Sequence, residues 1–144
     1  MQIARESVYA ALFDRLASLR ELATASRRLK HWSDVPAAAQ PALYLVQRNE
    51  RPRQTRGQPA AWTLQALLYL YVNAGSDPDA VPASSLNRLL DAIETALAPD
   101  AATGVQSLGG LVSHCWIDGS GIETDEGVLG AQAVAIVPIN ILVP

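Results

Sequence analysis

The sequence predicts an α+β fold: a mainly antiparallel sheet of about five strands with two helices packed on one face, in the order α-β-β-β-α-β-β. Three observations carry that expectation. Two segments repeat apolar residues at helical spacing: Val8, Leu12, Leu16 and Leu19, and then Leu86, Leu89, Leu90, Ile93 and Leu97. Residues 62–73 alternate with a period of two, as a strand does. Between residues 48 and 62 the breakers Pro52, Gly57 and Pro59 interrupt regular structure, so the flanking apolar stretches read as two arms of a hairpin.

The first helix is expected over residues 3–23, with Ala11 and Ala23 on its apolar side and Arg5, Asp14, Arg15 and Glu21 facing water. Residues 26–32 read as a short basic strand with Arg28, Lys30 and Trp32 on one side, followed by the turn Ser33-Asp34-Val35-Pro36 and an alanine-rich connection. Strands are expected over residues 42–48 and 62–73, joined by a long exposed loop carrying Arg48, Arg51, Arg53 and Arg56. In the second of them Trp62, Leu64, Ala66, Leu68, Leu70 and Val72 point one way. Thr63, Gln65, Leu67, Tyr69 and Tyr71 point the other, a mixed face suited to partial exposure or a subunit contact. After a loop over residues 73–82, Ser84 or Ser85 can cap the second helix, which Ala98-Pro99 ends. Residues 105–118 and 131–143 complete the sheet, with a bulge or bend at Gly109-Gly110. Between them lie a turn at residues 118–121 and an acidic patch, Glu123, Asp125 and Glu126.

A chain of 144 residues that is 49% hydrophobic suits a single domain spanning residues 1–144, with a core that needs no crosslinks. Cys115 is the sole cysteine, so no intrachain disulfide forms and an intracellular setting is expected. Glu6 and Asp14 fall where a signal peptide needs an apolar run. The longest apolar stretch, residues 67–72, is too short to span a bilayer, so a soluble protein with no membrane partner is expected.

Charge is unevenly distributed. Residues 1–56 carry ten of the eleven cations against five acids, a net of +5, whereas residues 57–144 carry Arg88 alone against nine acids, a net of −8. Opposite signs on two parts of one chain allow copies to attract one another where those parts lie on different flanks. If the Arg48–Arg56 segment of one subunit meets Glu123, Asp125 and Glu126 of the next, the contact joins unlike surfaces, and such head-to-tail contacts close into rings where the rotation permits. Tyr69 and Tyr71 are further candidate contact residues.

Signatures of catalysis are missing from the sequence. Lys30 is the sole lysine and no glycine-rich phosphate cradle precedes it, and no nucleophile elbow is present. His114 and Cys115 are neighbours on an expected strand and project to opposite faces, so they cannot readily share a metal or form a nucleophile–base pair. His31 stands alone, and the acidic trio lacks the dense oxygen spacing of a calcium loop. No catalytic, cofactor-binding or metal-binding residue is assigned, and no cofactor is expected. A nucleic-acid module is the alternative, with residues 27–32 and 48–56 neutralising phosphate and Trp32 stacking on a base. The acidic pI of about 5.2 weighs against a dedicated binder.

Five blocks carry a family resemblance: SRRLKHWSDVPAAAQPALYLVQ (26–47), WTLQALLYLYVNA (62–74), NRLLDAIETALAP (87–99), GGLVSHCWIDGSGIETDEG (109–127) and AVAIVPINILVP (133–144). In order and texture they resemble the tail terminator, or tail completion, proteins of long-tailed bacteriophages; other small head–tail connector proteins share the size and layout. The resemblance spans nearly the whole chain and includes no invariant catalytic motif. It implies a structural virion protein of the tail and neck, made in the host cytoplasm, whose copies form a ring, generally a hexamer. Such a ring ends tail-tube growth and presents the head-joining surface. Its implied partners are further copies of itself, the tail tube protein and a head-completion or neck protein. DNA passes through such rings without specific binding, so the arginines are expected to face protein partners rather than the lumen.

Overall fold

A computed structural model describes residues 4–128 and 130–144. Its elements are helix α1 (Arg5–Ala17), strands β1 (Thr24–Ser26), β2 (Ala42–Arg53) and β3 (Ala61–Asn73), helix α2 (Pro82–Ala96), and strands β4 (His114–Ile117), β5 (Glu123–Gly127) and β6 (Gly130–Val143). The fold is α+β with two helices, as the sequence predicts. The sheet has six strands, in the order β1-β2-β3-β6-β4 with β5 also against β6. Among the described residues only β1 with β2 is a parallel pair.

The alternation in β3 divides the molecule. Leu64, Ala66, Leu68 and Leu70 are fully buried, and across β6 they oppose Ile141, Ile139, Val137 and Ala135. Val8, Tyr9, Leu12 and Leu16 of α1 and Leu86, Leu89 and Ile93 of α2 belong to the same core cluster, so both helices cover this one face. Burying an aliphatic side chain of this size contributes roughly 1.5–3 kcal/mol, and the ladder repeats that gain on three adjacent strands.

The opposite face is half covered. The chain between β1 and β2 turns back over it through two single 3₁₀ turns, Trp32–Asp34 and Ala37–Ala39. There Trp32, Val35 and Ala39 pack with Ala42, Tyr44, Tyr69, Tyr71 and Val134 as a second, smaller core. Gln40 and Gln132 lock this layer through two reciprocal amide hydrogen bonds of 2.9 Å, with Gln40 also donating to the carbonyl of Val35 and Gln132 to that of Ala133.

Several expected elements are shorter than their patterns. Helix α1 stops at Ala17, not at residue 23, because the Ser18 hydroxyl bonds the carbonyl of Arg15 and the chain then turns; Leu19 still packs on the core. The basic strand expected over residues 26–32 does not form: the strand here is β1, Thr24–Ser26, which shares only Ser26 with that range and ends where the Ser26 hydroxyl accepts the amide of Arg28, and Trp32 opens a 3₁₀ turn. Residues 105–118 yield only β4. The preceding stretch bends through Gly109 and Gly110 at φ 79° and 91°, which glycine adopts without steric cost. Helix α2 begins at Pro82, whose fixed φ suits a first turn, and no serine side chain caps it.

Gln132→Ala removes a partner from a buried amide pair and leaves the Gln40 Oε1 without its donor. The expected loss is about 1–3 kcal/mol of unfolding free energy, read by urea denaturation.

Candidate interaction surface

The arginines sit on a strand, not in a loop. After Gln47 pairs with Ala66, a bulge at Arg48 shifts the register, and the ladder runs on from Asn49 opposite Gln65 to Arg53 opposite Ala61. Cross-strand pairing thus overrides the local breakers. Pro52 is tolerated because, among the described residues, no strand lies beyond this part of β2, so its missing N–H costs no ladder bond there. Arg56 alone falls in the connecting turn, where Gln54 spans to the carbonyl of Gln58.

The bulge also sets the direction of each charge. Arg51, opposite Thr63, and Arg53, opposite Ala61, share the open face, whereas Glu50, opposite Leu64, turns toward α1. There Glu50 accepts from Arg5 Nε at 2.6 Å and from the Tyr9 hydroxyl at 2.9 Å, and the Arg5 guanidinium lies 5.0 Å from the centre of the Trp62 ring. Burial, reinforced by the Glu50 bond, raises the Tyr9 phenol above its ordinary pKa. Among the described residues the ion pairs are Arg5–Glu50 and Arg27–Glu6, so Arg48, Arg51, Arg53 and Arg56 make none within the chain.

The acidic trio is strand β5, not a solvated turn, because it pairs with β6. Glu123 opposes Ile136 and Asp125 opposes Val134, which places both on the open face. Glu126 is already engaged: its Oε2 accepts the Ala83 amide at 2.9 Å in the first turn of α2. A carboxylate favours that position through the helix dipole. The tyrosines separate likewise. Tyr71 is only 4% exposed and donates its hydroxyl to the carbonyl of Lys30, so it serves internal packing, while Tyr69 stays partly exposed.

A depression of about 320 Å³ crosses the open face from Arg48 on one rim to Glu123 on the other, over a floor that includes Leu67, Tyr69, Ile136 and Pro138. The structure therefore gathers Arg48, Arg51, Arg53, Tyr69, Glu123 and Asp125 on one surface. Tyr71, Glu126 and Arg56 stand apart from it.

Beside the depression runs a polar chain that sequence reasoning missed. Asn49 donates to Gln65 at 3.4 Å, Gln65 to Asn140 at 3.2 Å, and Asn140 to Asp118. Its signal was present as two amides, Gln65 and Asn140, inside otherwise apolar strands. Hydrogen bonds from Ser120 and Asn140 hold the Asp118 carboxyl down at about 2.

His114 and Cys115 do project to opposite faces. Cys115 is fully buried and its thiol is pushed up to about 12 by burial, whereas His114 stacks on Trp116 with ring centres 5.0 Å apart and accepts the Gln106 amide at Nδ1. Trp32 is partly buried in the second core, so its ring is not free on both sides. Among the described residues no group of three or more His, Cys, Asp or Glu side chains is placed to hold a metal, and no helix is long and apolar enough to cross a membrane.

In comparisons with known proteins, no family model matches the chain and no curated protein matches it at a significant level.

Because its folded pKa lies below the ordinary 3.8, Asp118 contributes stability that is present above about pH 4 and lost as pH falls toward 2. Asp118→Asn is expected to flatten that part of the acid limb in thermal melts between pH 4 and 2. The Cys115 thiol is expected to resist a thiol reagent at pH 8 in the folded protein and to react fully once urea unfolds it.

Proposed function

We propose that this chain is a structural subunit of a long-tailed bacteriophage tail. Its copies form a ring, generally a hexamer, at the head-proximal end of the tail tube, end tube growth and provide the surface that joins the head. It works in the neck of the virion and in the host cytoplasm during assembly. Its partners are other copies, the tail tube protein and a head-completion or neck protein, and DNA passes through without specific binding. It performs no catalysis and needs no cofactor.

The observation that most supports this reading is the separation of charge across one sheet. Arg48, Arg51 and Arg53 lie on β2 at one margin, Glu123 and Asp125 lie on β5 at the other, and β3 and β6 stand between. A subunit with unlike margins suits head-to-tail association, and head-to-tail contacts generate rings where the rotation closes. The nucleic-acid alternative has less basic surface at its disposal. Arg27 already bonds Glu6 and Gln47.

The test mixes the purified protein with tail tubes and images them by electron microscopy. The expected result is added density at one tube end, and tubes without such a cap would refute the reading. Arg51→Glu with Arg53→Glu is expected to abolish capping while leaving the far-ultraviolet circular dichroism unchanged. If the same variant instead loses salt-dependent DNA binding measured on the isolated wild-type protein, the nucleic-acid reading replaces it.

A further inference from the structure

We propose that the outer edge of β4, with the groove beside it, is a docking site for an extended segment of a partner protein. That segment adds as a further strand, sets apolar side chains at alternate positions into the groove and places a lysine or arginine beside Glu94. The inference goes beyond the ring reading and stands on the edge and the groove alone.

Strand β4 ends the sheet: it pairs with β6 on one side, and no strand among the described residues lies on its other side. One bond fixes the direction of its main chain. Asp118, the residue after β4, donates its amide to the carbonyl of Pro138 in β6 at 2.9 Å. Amides alternate in direction along a strand, so Trp116 and His114 also turn theirs toward β6, while Cys115 and Ile117 turn N–H and C=O outward. The alternation holds within the strand; Ser113, just ahead of it, also bonds β6, at Leu142. Each outward residue offers an incoming strand one donor and one acceptor. Cys115 is fully buried, and main-chain groups shielded from water gain most from being paired.

Comparison of the edges favours β4. Natural edges refuse extra strands by means of bulges, prolines and charged side chains. The uncovered part of β2 has all three, in the bulge at Arg48, Pro52 and the exposed Arg48, Arg51 and Arg53. Strand β5 carries Glu123, Asp125 and Glu126. Strand β4 holds no aspartate, glutamate, lysine, arginine or proline, and its register against β6 is unbroken.

The surface beside this edge suits apolar side chains. A groove of about 310 Å³ lies between β4 and the C-terminal end of α2, with Leu97, Pro99, Trp116 and Ile117 in its lining. Cys115 and Ile117 oppose Ile141 and Ile139 on the helix-covered face, so an added strand directs every second side chain to the groove side. Charge selects the partner. Glu94 is exposed in the lining and no lysine or arginine lines the groove, so a basic segment is attracted and an acidic one repelled. The outward main-chain groups repeat at strand spacing, which an extended polypeptide matches.

The test is hydrogen exchange followed by NMR on the full chain, with a short acetylated peptide that alternates lysine and valine. In the free protein the Ile117 amide is expected to exchange faster than that of Trp116. With the peptide at about ten times its dissociation constant, exchange at Cys115 and Ile117 is expected to slow about tenfold, while Arg51 and Arg53 in β2 keep their rates. The same peptide methylated on alternate main-chain nitrogens is expected not to bind, and glutamate in place of lysine to weaken binding roughly fivefold. Glu94→Lys, on exposed surface, is expected to reverse that preference with unchanged far-ultraviolet circular dichroism. Failure of the lysine peptide to bind at millimolar concentration, or binding that leaves Ile117 exchange unchanged, would overturn the site. Equal affinity for the lysine and glutamate peptides would overturn the basic partner. Slowing of the same amides as the protein itself is concentrated, without peptide, would overturn the proposal in favour of a second copy on this edge.

Discussion

The register of β3 governs what every other part of the molecule can present. It pairs with β6 over Trp62–Asn73 on one side and with β2 over Ala61–Tyr71 on the other, so its period of two is imposed on both neighbours. A slip of one residue would exchange the faces, setting Leu68 and Leu70 on the open side and Tyr69 and Gln65 under the helices. The cost of exposing a fully buried aliphatic ladder excludes that alternative. A single exception is built in. The bulge at Arg48 reverses the phase of β2 for its last five residues, and without it Arg51 and Arg53 would point toward α1 while Glu50 faced out. The bulge is thus where folding constraint becomes surface chemistry.

Polar residues in the sheet interior follow the same logic. Gln65 and Asn140 are 7% and 4% exposed, a placement that costs free energy unless each amide is bonded. They are bonded, to each other and to Asn49 and Asp118, and no buried side-chain nitrogen or oxygen among the described residues lacks a partner. This chain runs from β2 across β3 and β6 to the residue after β4. It ties the basic margin to the acidic one through hydrogen bonds whose geometry tolerates little sliding, and so holds the two margins at a fixed level.

Much of this architecture is legible in the sequence where one element's pattern suffices. The alternation of β3 and the stripe of α2 fix the face each presents, because both depend on spacing within one segment. What was not legible depends on partners distant in the chain. Residues 49–53 carry Pro52 and three charges, poor strand material by local preference, yet pairing with residues 61–65 makes them strand. The acidic segment becomes β5 for the same reason. Tyr69 and Tyr71 look identical in sequence. One is partly exposed and the other buried only because residues 30–39 fold back over the end of the sheet where Tyr71 lies.

Exposed arginines on the uncovered part of β2 disfavour pairing between two such edges, because like charges would face one another. An exposed ion pair contributes roughly 0.2–1 kcal/mol, so three of them fall well short of a stable association. A lasting contact between subunits needs on the order of 800 Å² buried on each partner. In a ring of the kind proposed, holding energy would therefore have to come mainly from main-chain hydrogen bonds and buried apolar surface. Charge would then decide which surfaces meet and how fast, since like charges repel and unlike charges steer. On the ring reading, the same arginines that disfavour pairing with a like edge would steer a subunit toward an acidic surface of its neighbour.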